Sequence, residues 1–114
     1  MKINKFEYII AWQKSKELVI IIYDAFRECI DYDFARQIKH AVISIMNNIA
    51  EGFERKTNKE FIRFLYMAKG SCGEVRSMLY LALELKYISR VDFEIYYEMS
   101  LEISKILSGL IKSL

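Results

Sequence analysis

Apolar residues recur along this chain at steps of three and four, a spacing that lays out four amphipathic helices in succession. The first is expected from Phe6 to Cys29, with Ala11, Ser15, Leu18, Ile22 and Ala25 on one stripe and Trp12, Val19, Tyr23 and Phe26 widening it. Asp31-Tyr-Asp33 follows, where short carboxylates suit the cap of a second helix. That helix is expected from Phe34 to Gly52, with Ile38, Ala41, Val42, Ile45 and Ile49 inward and Arg36, Lys39 and His40 beside or opposite them. Gly52 is expected to end it, because glycine tolerates the left-handed conformation just past a helix.

Thr57-Asn-Lys-Glu60 has capping-box spacing and opens a third helix that runs to about Lys86. Its stripe is the most regular: Phe61, Leu65, Ala68, Cys72, Val75, Leu79 and Ala82 alternate steps of four and three, as bundle packing requires. Gly70 and Gly73 interrupt it, each costing about 1 kcal/mol relative to alanine. Close approach of a neighbouring helix is expected to offset that cost. Ser89-Arg-Val-Asp92 caps a fourth helix carrying Phe93, Tyr96, Met99, Ile103, Ile106, Leu107 and Leu110. No β alternation, linker or repeat competes. The expected fold is all-α, an antiparallel up-down-up-down four-helix bundle forming a single domain over residues 1–114.

Composition sharpens this picture. Hydrophobic residues make up 54 % of the 114 positions and no proline is present. The usual apolar share is roughly 45–50 %, and the surplus is expected to end in subunit contacts. No run reaches the ~18 apolar residues of a membrane span, and the N-terminus lacks a signal-peptide pattern. Cys29 and Cys72 have neither metal nor disulfide spacing and read as reduced core thiols of a cytoplasmic protein. Net charge is +2, unevenly placed: Arg36 to Arg76 holds eight Lys/Arg and four Asp/Glu.

Catalytic chemistry finds little to work with. The single histidine, His40, follows Arg36 and Lys39 rather than a glutamate, so no di-metal ligand pattern forms. Gly70-Ser-Cys-Gly73 lies inside a helical pattern and fails the context of a phosphate loop. Ser71 and Cys72 have only His40 as a base, with nothing to bring it near. No enzyme, cofactor or metal is expected. Two polar features remain. Asn48 and Glu51, near the end of helix 2, are expected to bond backbone or arginine groups and fix register, with Gly52, Gly70, Ser71 and Glu74 completing the motif. Arg55, Lys56, Lys59 and Arg63 gather around the turn between helices 2 and 3, while Arg36 and Lys39 form a second basic group, a set of cations suited to phosphate.

Several runs then resemble a known family. They are Trp12-Gln13-Lys14, Gln37-Ile-Lys-His-Ala41, Ser44-Ile-Met-Asn-Asn-Ile-Ala-Glu-Gly52 and Phe61-Ile-Arg-Phe-Leu-Tyr-Met-Ala-Lys-Gly-Ser71 followed by Glu74. Together they resemble the four-helix-bundle family encoded inside intervening sequences of bacterial 23S rRNA genes. That family often has Phe-Pro before helix 2 and proline after its Ser-Ile pair, where this chain has Asp33-Phe34 and Met46. The resemblance implies a bundle that assembles into ring-shaped homopentamers. It also implies kinship with accessory proteins of diversity-generating retroelements, which pair with a reverse transcriptase and present a basic surface to nucleic acid. Arg55, Lys56, Lys59 and Arg63 would be the corresponding face. The function expected is a non-enzymatic oligomeric scaffold that contacts RNA or DNA near the helix 2–3 turn. A protein–protein adaptor that docks an acidic partner is the alternative.

Overall fold

Ile9 adopts an extended backbone, so the first helix begins later than its apolar stripe suggests. In the computed structural model, which describes residues 3–114, a short 3-10 turn at Phe6–Tyr8 precedes α1 (Ile10–Ala25). Met1 and Lys2, part of the expected domain span, lie outside the described residues. Phe6 meets Trp12 edge-on at 5.2 Å, and the Gln13 amide donates to the Glu7 carbonyl at 2.8 Å, so the turn folds back on the helix it precedes. At the far end Phe26 leaves helical geometry, which puts Cys29 beyond the helix rather than within it.

Asp31 caps α2 (Tyr32–Phe53), accepting from the Phe34 amide at 3.2 Å. Its second oxygen accepts from the Tyr87 hydroxyl at 2.6 Å, which ties the α1–α2 turn to the α3–α4 turn. Thr57 caps α3 (Asn58–Glu84) as the capping-box spacing predicts, although Glu60 turns to Arg63 and does not reach back. Ser89 caps α4 (Arg90–Ser113) through the Asp92 amide. The 27 residues of α3 make a rod of roughly 40 Å, close to the 43 Å long dimension of the molecule.

Helix α1 packs on α2 and α4, and α3 packs on α2 and α4, so each helix has two neighbours around the bundle. With short connections, this is the antiparallel up-down-up-down bundle. All of the expected α3 stripe, Phe61 through Ala82, is buried. It meets Leu18 and Ile22 from α1, Ile38, Ile45 and Ile49 from α2, and Ile103 and Leu107 from α4 in one core. No helix is long and apolar enough to cross a membrane among the described residues.

The glycines depart from expectation. Gly52 does not end α2 in a left-handed turn, since no glycine among the described residues has positive φ. It is buried inside the helix, where an added Cβ would fall 2.5 Å from the Phe64 Cβ. Gly52 is therefore a point of close approach between α2 and α3. Gly70, expected at such a crossing, has nothing within 4 Å of its notional Cβ, and Gly73 meets only Arg76 Nη2 at 3.9 Å. The left-handed turn occurs instead at Lys86, with φ of 63°. There the Tyr87 amide bonds the Ala82 carbonyl and the Lys86 amide bonds the Leu83 carbonyl, the two bonds of a Schellman stop.

Candidate functional site

The six basic candidates do not converge. The helical rise from Lys39 to Arg55 puts roughly 24 Å between the two groups along α2. Arg36 is engaged by Asp33 one turn earlier, and Arg55 and Arg63 are engaged by Glu51 at 2.8 Å and Glu60 at 3.2 Å. Arg55 and Arg63 also lie over the buried Phe64 ring, 4.7 and 4.8 Å from its centroid. Carboxylate, guanidinium and ring form one strapped assembly. The Arg63 hydrogen bonds, and then its charge, hold the Glu60 carboxyl below the usual range, and the same bonds raise Arg63. These arginines spend much of their field on their own glutamates. Lys56 and Lys59 are exposed and have no carboxylate within ion-pair distance among the described residues.

Two further cations were not singled out by the sequence. Lys69 and Arg76 project from the flank of α3 that faces α4, both half-buried. Lys69 Nζ donates to Ser104 Oγ at 3.4 Å and also reaches Ser108 Oγ, and Arg76 Nη1 donates to Ser100 Oγ at 3.3 Å. Ser100 in turn donates to the Cys72 carbonyl at 3.0 Å. The partners are neutral hydroxyls, and no carboxylate of the described residues pairs with either cation. Gly73 lies between them on the same flank, leaving a notch. The available signal was the four-residue spacing of Ser100, Ser104 and Ser108, a polar stripe beside the expected core stripe of α4.

The polar motif divides as well. Asn48 donates to the Ser44 carbonyl at 2.9 Å and to Ser44 Oγ at 3.0 Å, and Ser44 Oγ meets Ser71 Oγ at 2.9 Å across the α2–α3 interface. Asn48 and Ser71 are thus joined through Ser44, at a site that fixes the relative register of the two helices. Glu51 pairs with Arg55 outside it, Glu74 is exposed on the opposite face of α3, and Gly52 and Gly70 belong to different surfaces. Burial pushes the Cys72 thiol up to about 11, and His40 lies on the exposed surface, so the two do not form a nucleophile–base pair.

Two concavities flank these groups. One of about 680 Å³ at the α2–α3 turn has Phe53, Phe61 and Leu110 in its wall and Arg55 and Lys56 at its rim. The other, of about 420 Å³, is lined by Arg36 and Lys39 on the α1–α2 side.

Fold and surface together define a helical bundle with a cationic flank along α3. The family profile described as "23S rRNA-intervening sequence protein" matches residues 7–109, and the chain belongs to that family. A crystal structure of a protein of unknown function from Bacteroides thetaiotaomicron, assigned to the S23 ribosomal protein family, superposes with a TM-score of 0.84 at 27 % identity, covering 90 % of this chain and 99 % of that one. Among curated proteins, none matches the sequence. The family description names no activity, and the Bacteroides protein is one of unknown function.

Proposed function

We propose that this chain is a non-enzymatic, homo-oligomeric scaffold that holds RNA or DNA by its phosphates along α3. The observation that carries this reading is the set of cations without a carboxylate: Lys56 and Lys59 at the start of the helix, Lys69 and Arg76 farther along it. From Lys59 to Arg76 the helical rise is roughly 25 Å, a track long enough to follow a backbone and touch several phosphates. Such contacts release counterions and give affinity without sequence readout.

Self-association rests on the outward face of α3. Arg63, Met67, Gly70, Glu74, Ser77, Leu81 and Leu85 follow each other at steps of three and four, all exposed, directly opposite the core stripe. Gly70 there makes no contact within the chain, so its helix cost is offset only if another copy packs close. A ring of five copies is the assembly we favour, placed in the cytoplasm, where free Cys29 and Cys72 stay reduced. The α2–α3 concavity favours a second reading, an adaptor whose apolar wall and Arg55–Lys56 rim take an acidic, apolar segment of a protein such as a reverse transcriptase.

The test is fluorescence anisotropy with a structured rRNA fragment and with duplex DNA across a salt series. Four contacts per protomer give a log–log slope of roughly −3.6 on duplex DNA. Lys56→Glu with Lys69→Gln should flatten the slope by about two contacts while the helical signal is kept. Absence of binding at low salt ends the nucleic-acid reading, and recovery of one protein partner after nuclease treatment replaces it with the adaptor.

A further inference from the structure

The cavity between the C-terminal end of α1 and the first half of α2 has a volume of about 420 Å³, within the 300–1,000 Å³ range of small-molecule sites. Its charged lining residues are all cations: Arg27, Arg36 and Lys39. Arg27 and Arg36 each commit only Nη2 to a carboxylate, Asp24 and Asp33, which hold the guanidiniums from outside the cavity. Their Nε and Nη1 donors make no hydrogen bond among the described residues. Lys39 Nζ sits 5.1 Å above the Tyr23 ring centroid and has no carboxylate partner.

The other walls are aromatic. Tyr32 is 73 % exposed and Tyr23 is 38 % exposed, while Phe26 and Ala35 close the floor. A bare inorganic anion would use the cations and leave the rings in water. A purely apolar ligand would cover the rings and desolvate the unpaired Lys39 ammonium and the free donors of both arginines, which is costly. A ligand that satisfies both has a flat ring joined to a phosphate.

We propose that this cavity is a nucleotide site, in which the base stacks on Tyr32 and Tyr23 and the phosphate is taken by Arg27, Arg36 and Lys39. It shares no residue with the α3 track and stands or falls separately from it. The nucleotide comes either free or as an unpaired residue of a strand, since the recognised chemistry is the same.

Isothermal titration of the full chain with adenosine monophosphate, adenosine, ribose 5-phosphate and inorganic phosphate tests this. The monophosphate should bind at least fivefold tighter than each of the other three, because stacking and charge both contribute. Tyr32→Ala and Lys39→Gln should each weaken it about fivefold or more, and Lys56→Glu should leave it unchanged. Tyr32 is exposed, so unaltered thermal unfolding of its variant confirms that the loss is local. Equal binding of phosphate and the monophosphate, no heat at millimolar ligand, or indifference to both substitutions overturns the proposal. Displacement of the monophosphate by a single-stranded oligonucleotide assigns the site to strands, and failure to displace it assigns the site to free nucleotides. A flat salt slope on the α3 track would leave this outcome untouched.

Discussion

Replacing Gly52 by alanine should force α2 and α3 apart. The new Cβ would stand 2.5 Å from the Phe64 Cβ and 3.1 Å from Phe61 Cδ1, against the roughly 3.5–4.0 Å at which carbons rest in contact. Phe64 Cβ is fixed to its own backbone, so no rotamer change relieves the overlap. The helices must separate by about 1 Å, loosening the α2–α3 seam that carries Ile49, Phe61 and Leu65. Overpacking of this kind costs about 1–3 kcal/mol. Alanine recovers at most about 1 kcal/mol of helix propensity, and less here because Gly52 lies in the last turn of α2. The expected net loss is about 1–2 kcal/mol, near 4 °C in Tm per kcal/mol for a chain of this size.

The matched control is Gly70→Ala, whose methyl meets nothing within the chain. It should gain about 0.5–1 kcal/mol. Urea denaturation followed by circular dichroism, at protein concentrations a hundredfold apart, distinguishes chain stability from association, because only the latter depends on concentration. A Gly52→Ala variant as stable as the parent would refute the placement of the helix crossing. A concentration-independent loss for Gly70→Ala would refute the open space at that position.

Other consequences follow from the same contacts. Lys86→Gly should stabilise the chain by about 0.5–1 kcal/mol in urea unfolding, because Lys86 occupies the left-handed position of the Schellman stop that glycine adopts without strain. The Tyr87 hydroxyl, and then the Phe34 amide, lower the Asp31 pKa from its ordinary value. A depressed folded pKa means that the bond contributes stability above the unfolded value near 3.9 and loses it as pH falls through the folded value. Carboxyl NMR titration should therefore find Asp31 moving upward in Tyr87→Phe, and no movement would contradict the bond. The same bond raises the Tyr87 pKa, so its contribution persists below pH 10 and fades as pH rises through the folded value. With its thiol raised to about 11 and its side chain fully buried, Cys72 should resist a disulfide reagent at pH 8 until the chain unfolds. Labelling of Cys72 in the folded chain at the rate of an exposed thiol would overturn that burial.

The bundle was legible because its core depends on periodicity alone. The α3 stripe from Phe61 to Ala82 alternates steps of three and four over six turns, and every member is buried. Caps were legible for a similar reason, since Asp31, Thr57 and Ser89 act on amides only a few residues away. The glycines were not. Whether a glycine serves a close approach depends on where two helix axes cross, and that point lies between segments far apart in sequence. Gly52 and Gly70 therefore exchanged the roles their local patterns suggested.

The candidate interface was legible in composition and misleading in detail, for an electrostatic reason. Counting cations from Arg36 to Arg76 treats each as available, yet Asp33–Arg36, Glu51–Arg55 and Glu60–Arg63 stand at the spacings where helical side chains pair. Those spacings are present in the sequence, and the pairing at them leaves the three arginines partly neutralised. Lys69 and Arg76 needed the structure, because their serine partners lie on α4, more than twenty residues away. The distinction has a measurable size. Eight available cations would give a salt slope of roughly −7 on duplex DNA, and the four of the α3 track, without the three paired arginines and the distant Lys39, give about half that. A slope near the larger value would mean that phosphate pulls the arginines from their glutamates, so the measured slope counts which ion pairs survive contact with the ligand.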